Sequence, residues 1–149
     1  MPHTSYLDQM LQQHWLSGPA YVRPVTVYFA LSSAQPQQAQ GSGANPWNFI
    51  EPETVYGYGR VAVATNTTNF VPVSDEPANG YQLQNGILIA FPASTGPWLE
   101  NAPLGYGGLW DAPNGGNLLS FGPLNPTVQV PGPAYTIQIQ PGQYVDSLV

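Results

Sequence analysis

Helical spacing of apolar residues is convincing in one place, near the amino terminus. Leu7, Met10, Leu11, His14 and Trp15 fall at i, i+3, i+4, i+7 and i+8, which puts them on one face of a helix. The pattern predicts a helix over Thr4–Leu16. Ser5 and Asp8 match a capping box, with Thr4 as a rival cap. Ser17-Gly18-Pro19 ends it: Gly18 suits a left-handed position and Pro19 cannot continue the helix. The apolar face has two possible uses. It packs on the sheet of its own subunit, or it forms an arm that packs on a neighbouring subunit.

From there on the periodicity is that of strands. Val25–Leu31 is apolar on both faces and reads as a central strand. Gly59–Thr65 alternates, with Val61 and Val63 pointing inward, and Asn66–Val73 offers a further strand. Gly86–Phe91 is apolar on both faces. Leu104–Trp110 and Asn117–Gly122 form a hairpin around Asp111-Ala112-Pro113-Asn114-Gly115-Gly116. Pro113 presets φ there, while Asn114 and the two glycines tolerate positive φ. Leu104, Tyr106, Gly108 and Trp110 fall on one face at period two. Thr127–Val130, Ala134–Gln140 and Gln143–Leu148 complete the strands, separated by Pro131-Gly132-Pro133 and Pro141-Gly142. The segment Ser32–Asn48 is a long loop rich in Gln, Ala, Ser and Gly, and Asp75–Gly80 is an acidic turn.

About eight short strands punctuated by turns predict an all-β antiparallel sandwich, or jelly-roll-like domain, with one amino-terminal α-helix. The expected organisation is a single domain over residues 1–149. Its helix covers about 4–17, its sandwich about 20–149, and a long loop about 32–56. A chain of 149 residues buries roughly 70% of its unfolded surface, enough for one core.

Composition changes the picture of partners more than that of the fold. Two Arg, no Lys and eight acidic residues give a net charge of −6, which opposes phosphate contacts and excludes nucleic acid as an expected partner. Charged residues make up 7% of the chain, far below the roughly 25% of an average domain. Solubility then rests on uncharged polar groups, and broad contacts with other chains desolvate few charges. The absence of Cys removes disulfides and thiolate chemistry and leaves the compartment open. No basic and apolar leader is visible at the start, and no apolar run approaches the roughly 20 residues that span a bilayer. No membrane partner is expected.

Catalytic and metal-binding readings find little support. His3 and His14 lie eleven positions apart without Cys, and His14 on an apolar stripe reads as a core or interface residue; no metal or cofactor is expected. Asp111–Gly115 looks superficially like a calcium loop but lacks the alternating acidic ligands and terminal Glu. No G-x-S-x-G elbow or phosphate loop occurs. Glu51 and Glu53 resemble a glycosidase pair, yet the intervening Pro52 suits a loop. Glu51 is a better partner for Arg60, and a bidentate pair there pins the long loop to the strand. No enzymatic activity is expected.

The order of short motifs carries a resemblance. The helix is followed by Pro24-Val25-Thr26-Val27-Tyr28-Phe29-Ala30-Leu31-Ser32, a long loop, Glu51-Pro52 and Tyr58-Gly59-Arg60-Val61. Then come Ile89-Ala90-Phe91-Pro92-Ala93, Trp98, Trp110-Asp111-Ala112, Gly115-Gly116-Asn117-Leu118-Leu119 and Gly122-Pro123-Leu124. Over nearly its whole length the chain resembles small tailed-phage virion proteins described as capsid decoration (cement) or tail-fibre-like proteins. The Gln/Ala-rich stretch Gln35–Asn45 and the scarcity of charge depart from that pattern. The resemblance implies a non-enzymatic role on the capsid surface, bridging coat subunits. The implied partners are the major capsid protein and further copies of the chain, as a homo-oligomer and specifically a trimer. The alternative is a tail-fibre or receptor-binding module for a host-surface glycan, which predicts a concave aromatic patch on exposed loops. The helix face of Leu7, Met10, Leu11, His14 and Trp15 is the first candidate for subunit or coat contact. The loop Ser32–Asn48 is the second.

Overall fold

The computed structural model describes residues 5–36, 48–73 and 82–147. Thr4, most of the loop Ser32–Asn48 and the acidic turn Asp75–Gly80 therefore lie outside the described residues. The described residues form helix α1 (Ser5–Leu16) and nine strands. These are β1 (Thr26–Ser32), β2 (Val61–Ala64), β3 (Phe70–Pro72), β4 (Gln82–Asn85) and β5 (Ile89–Ala90), then β6 (Leu104–Trp110), β7 (Leu118–Val128), β8 (Gln138–Ile139) and β9 (Val145–Ser147). Single 3-10 turns occupy Thr54–Tyr56 and Trp98–Asn101.

Every strand pairing among the described residues is antiparallel. One sheet has the order β2-β1-β6-β7, a second β3-β4-β9, and β5 pairs with β8. The first sheet turns into the second where Leu124 of β7 bridges Tyr144 beside β9, and Asn125 N–H donates to Gln143 O at 3.0 Å. The arrangement is the expected β-rich sandwich with one amino-terminal helix.

Alternation on β1 divides the apolar residues between two clusters. Val27, Phe29 and Leu31 face the main core with Val63, Leu109 and Leu119. Trp98 and Tyr144 are fully buried there. Tyr58 and Phe91 stack at 5.9 Å, and Phe29 meets Tyr144 edge-on at 5.0 Å. Tyr28 and Ala30, on the opposite face of β1, join Trp110, Leu118 and Phe121 beneath Phe49. Gly108 permits that cover: a Cβ there would sit 2.6 Å from the Phe49 ring.

Several boundaries differ from the sequence reading. Leu104 and Trp110 do not share a face, because register shifts lie between Leu104 and Tyr106 and between Leu109 and Trp110; Leu104 enters the main core and Trp110 the second cluster. Thr127–Val130 is not a separate strand, since β7 runs on to Val128. Gly86–Phe91 reduces to β5, and β4, built of Gln82-Leu83-Gln84-Asn85, lies before it. Ala134–Gln140 reduces to β8, with Tyr135 exposed. Gly18 ends α1 without positive φ, its N–H donating to Gln13 O.

Candidate functional site

Two regions gather the residues singled out by the sequence: the amino-terminal helix, and the junction between the long loop and the hairpin.

Only the start of α1 is seated on the sandwich. Tyr6 and Leu7 pack against the main core, and Met10 is half-buried. Leu11, His14 and Trp15, on the same stripe, are exposed. Trp15 and Leu16 are each 81% exposed, Val22 is 82% and Val25 80%. The stripe therefore does two things along its length, holding its own sheet at one end and presenting apolar surface at the other. His14 closes the turn that follows: its Nδ1 accepts the Tyr21 N–H at 2.9 Å, which requires that nitrogen to be unprotonated. Tyr21 in turn has its phenol pushed up by burial, with smaller contributions from Tyr6 and Asp111.

Leu16, Val22 and Val25 are exposed as well but lie outside the predicted set. Leu16 falls outside the helical stripe. Val25 looks like the first residue of the central strand, whereas β1 begins at Thr26. The run Val22–Val25 is interrupted by Arg23 and Pro24 and has no periodicity of its own. Its only signal is large apolar residues in a segment that forms neither helix nor strand.

Glu51 and Arg60 meet at the second region. Arg60 Nε and Nη2 donate to Glu51 Oε1 and Oε2 at 2.9 and 2.8 Å, the two-pronged geometry of a guanidinium on a carboxylate. The Arg60 side chain is 7% exposed and that of Glu51 24%. Arg60 Nη1 donates to the carbonyls of Ala112 and Gly115 at 2.9 and 2.8 Å. Its guanidinium lies 3.9 Å from the centre of the Trp110 ring. Tyr58 O–H donates to Glu51 Oε1 at 2.8 Å and accepts the Leu31 N–H at 3.1 Å. Burial first, and the Glu51 charge second, hold the Tyr58 phenol well above its usual value. One arginine thus ties the long loop, β2 and the hairpin tip together. The Trp110 indole N–H is buried with no hydrogen-bond partner, so this side chain serves through its ring face.

The remaining polar groups of the turns are used structurally. Asp111 Oδ1 and Oδ2 accept from the Asn117 backbone and side chain at 2.7 and 3.0 Å, closing the hairpin, while Gly115 and Gly116 take φ of 61° and 74°. Glu53 Oε2 accepts the Leu99 N–H at 3.1 Å, so Glu51 and Glu53 are held in different networks. Among the described residues no group of three or more His, Cys, Asp or Glu is placed to hold a metal ion. No helix among them is long and apolar enough to cross a membrane.

No curated protein matches the chain. A family model described as podophage GP4 fiber I protein gp80 matches residues 2–142, nearly the full length, in accord with the resemblance to phage virion proteins. By that match the chain belongs to the family of the podophage GP4 fiber I protein gp80.

Proposed function

We propose that the chain is a non-enzymatic structural subunit of the virion, a fibre element that holds to its neighbours through the outer end of α1 and the segment after it. The observation that carries this reading is the exposure of Leu11, Trp15 and Leu16, which line one shallow hollow on the outer end of α1, together with that of Val22 and Val25 in the segment after it. Monomeric proteins rarely leave a large contiguous apolar patch exposed. Burying such a side chain contributes about 1.5–3 kcal/mol, against an association cost of about 4–15 kcal/mol. Several such side chains buried together can hold a partner without charge pairs. The partner is a further copy of the chain, giving a homo-oligomer, or another virion protein presenting an apolar seam.

The fibre reading draws its support from the description of the family as a fiber protein. The cement reading, with the major capsid protein as partner, the head surface as place and a trimer as the assembled form, draws its support from the low charge. A surface on which 7% of all residues are charged makes broad contact with few ions to desolvate. Binding only the assembled shell would stabilise it by linkage.

Particles lacking the gene separate the two. The fibre reading expects heads that survive heat and osmotic shock as wild type and lack an appendage in images. Fragile heads with all appendages in place would establish cement instead. Particles unchanged in mass, appearance and resistance would overturn both.

A further inference from the structure

Beneath α1 the four-stranded and three-stranded sheets stand apart and leave a cavity of about 810 Å³, within the roughly 300–1,000 Å³ of small-molecule sites. Its wall is mainly apolar, formed by Leu7, Val27, Phe70, Leu83, Leu109 and Leu119. Arg23 lines it from an exposed position. The chain has two cations, and Arg60 is fully engaged by Glu51, Ala112 and Gly115. Arg23 makes neither an ion pair nor a hydrogen bond among the described residues.

An apolar hollow beside a guanidinium unpaired among the described residues has the polarity of an amphipathic anion. Asp146, also on the wall, carries a carboxylate to which Ser120 and Tyr144 donate. We propose that this cavity binds an alkyl chain bearing a carboxylate or phosphate, with the chain against the apolar wall and the head on Arg23. The lining suits an alkyl body better than a sugar. Thr65 Oγ1 donates to Pro24 O, and Asn66 Oδ1 accepts the N–H groups of Thr68 and Asn69, so both are already engaged within the protein.

Calorimetric titration of the full chain tests this with decanoate below its micelle concentration, octanoate, 1-decanol and glucuronate. Saturable binding of one decanoate per chain is expected. Octanoate should bind about tenfold more weakly, the effect of two methylenes left out of the apolar phase. Arg23→Gln should weaken decanoate about fivefold, as for an exposed charge pair, and leave decanol unchanged. Thr67→Trp, at an exposed position on the lining, should close the cavity and remove both, with an unchanged melting transition showing that the fold is intact. No saturable decanoate binding, binding indifferent to both substitutions, or glucuronate binding tighter than decanoate would each overturn the proposal. Phosphatidylglycerol vesicles distinguish the source of the chain. Cosedimentation that Thr67→Trp abolishes assigns a membrane lipid, and decanoate binding without cosedimentation assigns a free acid; either result supports the site.

Discussion

At the scale of single residues, Arg60 is a structural node, because its side chain is nearly buried and all three of its guanidinium nitrogens donate hydrogen bonds. Removing one member of such a pair leaves the other uncompensated, which costs about 3–5 kcal/mol. Arg60→Ala should therefore lower the urea midpoint far more than a surface substitution such as Gln12→Ala, and equal midpoints would show that the node is dispensable. Two tyrosines add a pH dependence. Tyr58 and Tyr144 are both held well above the usual value of 10.0, first by burial and then by the neighbouring Glu51 and Asp146 charges. Above pH 10 the unfolded chain releases these protons while the folded chain keeps them, so the stability they contribute is present below that pH and declines above it. Unfolding measured from pH 8 to 11 should show a level region followed by a fall, and Tyr144→Phe should make the fall shallower. The pairing of Glu51 with Arg60 was legible because two cations leave little choice of partner. Trp110 and the hairpin carbonyls, which complete the node, were not, since they approach only when the sheet is assembled.

At the scale of elements, local pattern located α1, β1 and the β6–β7 hairpin well, because each has either strong periodicity or turn residues with defined backbone demands. It failed where pairing rather than composition makes the strand. Gln82-Leu83-Gln84-Asn85 has little intrinsic strand character, yet it lies between β3 and β9 and takes their hydrogen bonds. The register shifts in the β6–β7 ladder are likewise invisible in a period-two count, and they send Leu104 and Trp110 to opposite sides. The corner between β7 and β9 depends on one further unreadable contact. A Cβ at Gly122 would lie 1.8 Å from Val145 O, so the two strands can approach only because that position is glycine. Gly122→Ala should destabilise at the upper end of the roughly 1–3 kcal/mol seen for overpacking. A thermal transition unchanged from wild type would contradict this close approach.

At the scale of the whole molecule, two features stand apart from ordinary folding requirements: an apolar surface on the outer half of α1, and a chain in which 7% of residues are charged. The sequence stripe located the helix face and left its use open between core and arm. The structure divides it, with Leu7 seated on the core and Leu11, His14 and Trp15 exposed. That division could not be read from spacing, because the two ends of the stripe have the same chemistry and differ only in what lies opposite. The central claim is that this outer surface attaches the chain to the virion. Quantitative mass spectrometry of purified particles, comparing wild type with Trp15→Ser/Leu16→Ser, tests it most directly when the isolated variant is also shown to melt as wild type. A fixed copy number in wild-type particles and loss of the variant from them is the predicted result; a fully retained variant would contradict it.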